Sequence, residues 1–282
     1  MADGDCRDTM GDAMASDRSI PEGVDLEQPS SARIYDYHLG GDHNFAADRA
    51  VGDQVIAAWP DGLRIVRENR AFLRRAVQYL AEQGVRQYLD IGSGIPTVGN
   101  VHEVAQGVEP EARVVYVDID PVAVAHSREI LAADPRTAVL LADFHDPDAI
   151  LAHADTRRLL DFDQPIALLV LGLLHFFPDE AAPGAVLARL RDALPAGSYL
   201  ALTHLTDESR PELARKVDEV YRGANLPFYW RTHAAVMDLF GGWDLVEPGL
   251  VWVPEWHPDD PGNVGDDPSA SANYGGVGRK PD

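Results

Sequence analysis

The sequence predicts an α/β fold built on a doubly wound, mostly parallel sheet and completed by a C-terminal antiparallel hairpin. Three observations lead there. Five short runs are almost continuously apolar, as strands covered on both faces are. Helix-like segments alternate with them, the order expected of βα units. The first run also ends in a glycine-bearing turn, Asp90-Ile91-Gly92-Ser93-Gly94, at the position where such sheets bind ligands.

Taken in order, residues 1–28 read as a mobile acidic tail and residues 29–84 as an N-terminal helical lid or cap. Within the cap, a helix over 69–83 places Phe72, Leu73, Ala76, Val77 and Leu80 on one face, and Gly84 stops it. Residues 85–253 form the α/β core, with strands expected at 87–91, 114–117, 138–142, 166–174 and 199–203. Pro121 suits the first turn of one intervening helix, and Pro178-Asp179 opens another that runs to Leu194. Residues 243–247 and 250–253 flank Pro248-Gly249 closely enough for a hairpin. Residues 254–282 hold few periodic apolar positions and read as a loosely docked C-terminal extension.

Composition narrows the function. The chain has 282 residues, 45% of them hydrophobic and 25% charged, which supplies a sizeable core and excludes disorder throughout. The longest apolar run, Ile166 to Phe177, falls well short of the about 20 residues a membrane-spanning helix needs. With 24 basic and 46 acidic residues the formal net charge is −22, so neither nucleic acid nor an anionic membrane is an expected partner. One cysteine, Cys6, permits no internal disulfide, and the aspartate-rich N-terminus has no secretory apolar stretch. A cytoplasmic location fits both.

Ligands of open α/β sheets bind beyond the carboxyl ends of the strands, so those ends are the places to inspect. Gly92 and Gly94 let the backbone turn tightly, which is half of a dinucleotide fingerprint. A third glycine would be needed at position 97, where this chain has Thr97 after Pro96, and a nicotinamide dinucleotide is thereby disfavoured. Asp90, ahead of the glycines, suits an ammonium or sulfonium better than a phosphate. The second strand ends in Asp118-Ile119-Asp120, where a carboxylate accepts both ribose hydroxyls. The third ends in Asp143-Phe144, suited to the exocyclic amine and ring face of adenine. The fourth ends in Leu173-Leu174-His175-Phe176-Phe177, an apolar floor at the level of a reacting group.

Several stretches stand out beside these strand ends: Arg33-Ile34-Tyr35-Asp36-Tyr37-His38-Leu39-Gly40-Gly41, Asn44-Phe45, Asn69-Arg70-Ala71-Phe72-Leu73, Val115-Tyr116-Val117-Asp118 and the terminal Gly275-Gly276-Val277-Gly278-Arg279-Lys280. With them the sequence resembles the class I S-adenosylmethionine-dependent methyltransferases. More narrowly, it resembles one bacterial family of these, long known as a domain of unknown function, over about residues 29–280. The resemblance implies a Rossmann-like methyltransferase fold, S-adenosylmethionine as cofactor and S-adenosylhomocysteine as product. The cofactor site it implies takes in Tyr37, Arg70, Asp90, Gly92, Gly94, Pro96, Asp118, Ile119, Asp143, Phe144 and Leu173. It implies no particular acceptor; a small molecule is expected.

His175 is the candidate catalytic base because an imidazole titrates near neutrality, and a hydrogen-bonded core histidine is the competing reading. His204 carries the same two readings. Asp120 reads as a helix cap. Arg33 to Phe45, with two glycines and three aromatics, reads as a lid loop that closes over the cofactor, against a packed arm. Asn69 and Arg70, read as lying at a helix start, offer a charge-assisted bond to the methionine carboxylate. No catalytic metal is expected, since His102-Glu103 has no second histidine at position 106. These residues lead to a methyltransferase in which an acceptor nucleophile attacks the sulfonium methyl in line. A non-catalytic S-adenosylmethionine-binding sensor is the alternative, and an NAD(P)-dependent oxidoreductase a weaker one.

Overall fold

The alternating apolar runs lie side by side in one eight-stranded sheet, in a computed structural model that describes residues 20–21, 24–96 and 99–282. Most of the expected acidic tail, Cys6 and Thr97 lie outside these residues. Three helices come first, α1 (Ser31–His38), α2 (Ala46–Ala58) and α3 (Gly62–Glu82). The core then runs β1 (Gln87–Ile91), α4 (Val101–Val108), β2 (Arg113–Asp118), α5 (Pro121–Leu131), β3 (Thr137–Leu141), α6 (Pro147–Ala152), α7 (Ala154–Leu159), β4 (Ala167–Leu171), α8 (Pro183–Ala193) and β5 (Tyr199–Leu205). The chain ends through α9 (Pro211–Gly223), α10 (His233–Asp238), β6 (Asp244–Leu245), β7 (Val251–Trp252) and β8 (Asn273–Arg279).

The strand order is β3-β2-β1-β4-β5-β8-β6, with β1 to β5 parallel and β8 antiparallel to its neighbours. Order therefore reverses between β1 and β4, where a crevice opens at the carboxyl ends. Alternation of side chains along each strand supplies two cores. Leu89, Ile91, Val115 and Val117 face Ile150, Leu187, Leu190 and Val236 of α6, α8 and α10. Tyr88, Val114 and Leu169 face Phe72, Ala76, Val77 and Leu80 of α3. Each fully buried aliphatic side chain contributes about 1.5–3 kcal/mol, so sheet burial outweighs the helices' own propensity.

Four elements differ from the sequence reading. Helix α3 begins at Gly62, because its buried stripe continues through Val66 and the polar Asn69, which an apolar count passes over. Pro178-Asp179 opens only a 3-10 turn; Ala182, at φ 50°, breaks it, and α8 starts on Pro183. The two segments around Pro248-Gly249 do not pair with each other. Both β6 and β7 pair with β8 along one edge, interrupted where Pro248 has no N–H to give and Gly249 turns back on Val246.

The fourth difference is the C-terminus, which is no loosely docked extension. Strand β8 is inserted between β5 and the β6–β7 edge, with Asn273 to Gly278 buried. Its glycines let side chains rest on the strand from both faces. A Cβ at Gly275 would sit 2.8 Å from Val253 Cγ1 and 2.9 Å from Phe72 Cε2, and one at Gly278 3.0 Å from Phe240 Cδ1. Among the described residues no helix is long and apolar enough to cross a membrane. Nor do three or more His, Cys, Asp or Glu side chains among them converge as metal ligands.

Candidate active site

The turn after β1 is built by backbone geometry first. Gly92 and Gly94 have φ of 72° and 63°, and the N–H groups of Gly92 and Ser93 both donate to the Val117 carbonyl of β2. The left-handed φ at position 92 favours glycine, and a Cβ there would also press on Leu173 Cδ1 at 2.7 Å. Asp118, at the end of β2, then fixes the turn: its Oδ2 accepts from Gly94 N at 2.7 Å and its Oδ1 from Asp120 N at 2.9 Å. Asp120 is the helix cap the sequence suggests, accepting from Val122 N and Ala123 N at the start of α5.

At the end of β3, Asp143 Oδ1 accepts from His145 N while about half of the side chain stays exposed. Phe144 is buried and stacks on Phe177, ring centroids 5.2 Å apart. Strand β4 stops at Leu171, and Gly172 at φ 68° swings the chain into a 3-10 turn over Leu174–Phe176, so His175 rides on that turn. A chain of hydrogen bonds sets the turn's height. Gly172 N donates to Thr203 Oγ1, Thr203 Oγ1 to Asn69 Oδ1, and Asn69 Nδ2 to the Tyr35 hydroxyl. Asn69 and Arg70 are thus mid-helix rather than at a helix start, and the Asn69 side chain is fully engaged by Thr203, Asn273 and Tyr35.

One cavity gathers Arg70, Asp90, Gly92, Gly94, Asp118, Ile119, Asp143, Phe144, Leu173 and His175. Two expected residues are not on it. Tyr37 faces away, its hydroxyl donating to Asp53 at 2.6 Å, because two residues along a helix turn the side chain by roughly 200° from Tyr35, which does line the cavity. Past the left-handed turn at Gly94 the chain leaves the wall for the core, which buries Ile95 and Pro96. The lid loop is absent too. Arg33 to His38 is helical with Ile34 fully buried, and Asp36 accepts from His43 N and Asn44 Nδ2. Gly41 packs closely on Asp36: its N–H donates to the Asp36 carbonyl, and a Cβ there would collide with the Asp36 carboxylate.

Burial governs the charges of the site. It pushes the Asp90 carboxyl up to about 7, against the neighbouring Arg70 and with help from Asp118. It raises Asp118 as well, opposed by the backbone N–H groups that Asp118 accepts from. Burial, then His204 and Arg231, hold His175 well below the usual imidazole range, and its Nδ1 is buried with no hydrogen-bond partner. His204 is the satisfied core histidine of the pair. Its Nδ1 donates to the Leu205 carbonyl and its Nε2 accepts from Arg231 Nη1 at 2.8 Å, and burial brings it down to about 4. Arg231 also donates to the carbonyls of Leu174 and Phe177, which clamps the turn that carries His175.

The apolar floor expected at the end of the fourth run is there, with Phe176 and Phe177 on the wall, but the rest of the aromatic wall, Trp59, Tyr221, Phe228 and Trp230, has no counterpart in the sequence reading. No spacing marks these residues, which come from the residue that caps the end of α2, from α9 and from the segment between α9 and α10. The donor set fits S-adenosylmethionine on geometry alone. A turn carried by two glycines of positive φ lies beside two buried carboxylates, Arg70 shares the same wall, and an aromatic follows the third strand.

A family model described as S-adenosyl methyltransferase matches residues 17–281. The chain is 45% identical to a DUF574 family protein from Streptomyces avermitilis MA-4680, covering 91% of this chain and 99% of that one with a TM-score of 0.88. It is also 45% identical to a putative methyltransferase from Thermobifida fusca YX, covering 93% and 98% with a TM-score of 0.85. A search of curated proteins gives no match.

Proposed function

The chain belongs to the S-adenosyl methyltransferase family, with S-adenosylmethionine as its cofactor, and on that premise we propose that it methylates a small-molecule acceptor bound in the same cavity. One observation carries this reading. The cavity does not end at the strand-end carboxylates but continues past Leu173 and His175 into an apolar chamber. A sensor needs no space beyond the sulfur, so the continuation favours an enzyme over the non-catalytic alternative. The acidic balance of the chain supports a small acceptor over a nucleic acid, and its single cysteine supports a cytoplasmic enzyme.

When bound, the cofactor supplies an electrophilic methyl on a sulfonium. In this reading Asp118 holds the ribose hydroxyls, since a carboxylate with two oxygens accepts more than its two backbone N–H groups. Asp143 and Phe144 meet the adenine, Asp90 the ammonium and Arg70 the carboxylate of the methionine part. His175, neutral across the physiological range, takes a proton from the acceptor nucleophile. The buried aromatic wall excludes water and holds the nucleophile in line. Calorimetry tests the reading directly: S-adenosylmethionine and S-adenosylhomocysteine are expected to bind and NAD is not. Binding of NAD, or of none of the three, refutes it.

A further inference from the structure

The chamber beyond Leu173 is built by a part of the chain separate from the strand ends. Trp59 just after α2, Val217 and Tyr221 of α9, and Phe176, Phe228 and Trp230 line it, and all belong to a third hydrophobic cluster that covers neither face of the sheet. Phe228 is its centre, with ring centroids 4.2 Å from Tyr221, 4.9 Å from His175, 5.0 Å from Phe176 and 5.6 Å from Trp230. Among the described residues, the charged ones on the cavity wall are Arg70, Asp90, Asp118, Asp120 and Asp143, and they gather around the ends of β1 to β3. None lines the chamber.

That distribution selects a ligand. An ionised group placed there would lose its hydration with no counter-charge to replace it. A cation would also face Arg231, which stands behind His175 and already opposes positive charge on that imidazole. Rings on several sides favour a flat aromatic, which meets them edge-on or offset. Two polar groups in the wall are unanswered. The Tyr221 hydroxyl is raised by burial alone, with no hydrogen bond contributing, and His175 Nδ1 is buried without a partner. Polar groups left open in an apolar wall mark where a ligand's own polar group belongs.

We propose that the chamber binds an uncharged, planar aromatic molecule and that a hydroxyl on that molecule, set between Tyr221 and His175, is the methyl acceptor. The proposal rests on the methyltransferase reading of the cavity. In the transfer, a lone pair of the hydroxyl oxygen forms the new O–C bond as the C–S bond breaks and leaves its electrons on sulfur. The hydroxyl proton moves to the His175 imidazole only as the sulfonium loses its charge, so the net charge of the closed site does not change, and it is released to bulk solvent when the products leave.

The experiment is calorimetry on the full chain saturated with S-adenosylhomocysteine, with three ligands of one ring system. 1-Naphthol is expected to bind, and 1-naphthoate and protonated 1-naphthylmethylamine to bind at least about tenfold more weakly, a difference of one decade in Kd. Tyr221→Phe is expected to weaken 1-naphthol several-fold and to leave S-adenosylhomocysteine affinity unchanged. If S-adenosylhomocysteine itself fails to bind, the cofactor reading falls and the acceptor proposal with it. If it binds but 1-naphthol does not, or if either charged analogue binds as tightly, the acceptor class alone is overturned. Undiminished 1-naphthol binding by Tyr221→Phe likewise overturns the placement of the hydroxyl.

Discussion

The Asp118 carboxylate closes the glycine turn, accepting a hydrogen bond of 2.7 Å from the backbone N–H of Gly94. The residue to which the proposed function assigns the ribose is therefore also a structural tie between β1 and β2. Asp118→Ala leaves the N–H groups of Gly94 and Asp120 without their acceptor, so it is expected to cost about 1–3 kcal/mol of stability as well as most cofactor affinity. Asp118→Asn keeps one acceptor oxygen and should fall between the alanine variant and the parent on both counts. Thermal unfolding and calorimetry read the two effects separately; an alanine variant with parental stability would show that the tie carries no energy.

Asp90 gives a pH signature. Burial raises its carboxyl to about 7 in the fold, whereas an unperturbed aspartate titrates near ~3.9. Between these values the folded state keeps a proton that the unfolded chain has released. The contribution is fully present below about pH 4 and is lost as pH rises through about 7, so stability falls across that window. Asp90→Asn should flatten this slope in urea titrations at pH 4.5 to 7.5, a range set by those two values. A cationic ligand favours the ionised form, so cofactor binding near neutrality should release protons, measured as heats that differ between buffers. Zero proton release would remove Asp90 from the ammonium.

The parallel strands and the glycine turn were legible because each has a local cause: continuous apolar runs for buried strands, glycines where φ is positive, and Asp120-Pro121 for a cap. What escaped reading is held by distant partners. Asn273 to Arg279 carries four apolar-neutral or polar positions and three glycines, which argue against a strand until Phe72, Val253 and Phe240 are seen resting on them. Helix α1 looks too polar for a buried element until Arg33 and Asp36 are matched with Asp48, Asp120 and Asn44. Of the aromatic chamber only Phe176, in the apolar run that ends the fourth strand, had a local signature, since the other side chains come together only through the packing of α2 and α9.

The C-terminal strand supplies a stringent test. Removing residues 273–282 exposes the β5 edge and deprives β6 and β7 of their partner, so the shortened chain should lose its near-ultraviolet circular dichroism and aggregate. A milder probe is Gly275→Val, whose new side chain would collide with Val253 and Phe72 and should cost at least about 1–3 kcal/mol. A soluble truncated protein with a parental unfolding midpoint would mean that the strand is dispensable.

Arg33 decides whether α1 is a wall or a lid. Its Nε lies 3.5 Å from Asp48 Oδ1 and 3.5 Å from Asp120 Oδ2, with only 4% of the side chain exposed, and so it fastens α1 both to α2 and to the cap of α5. Asp48 is fully buried and also accepts from Ser30 N and Phe45 N, which sets the chain entering both helices. Removing one member of a buried charge group leaves the others uncompensated, at about 3–5 kcal/mol, so Arg33→Met should be strongly destabilising although Arg33 does not line the cavity. Tyr35 hangs from the same helix and holds Asn69, which in turn supports the turn that carries His175. Loosening α1 should therefore weaken cofactor binding at a distance. Hydrogen exchange separates the two pictures: in a fixed wall the amides of Ile34 to Leu39 are protected before any cofactor is added and change little afterwards, whereas protection that appears only with cofactor would restore the lid.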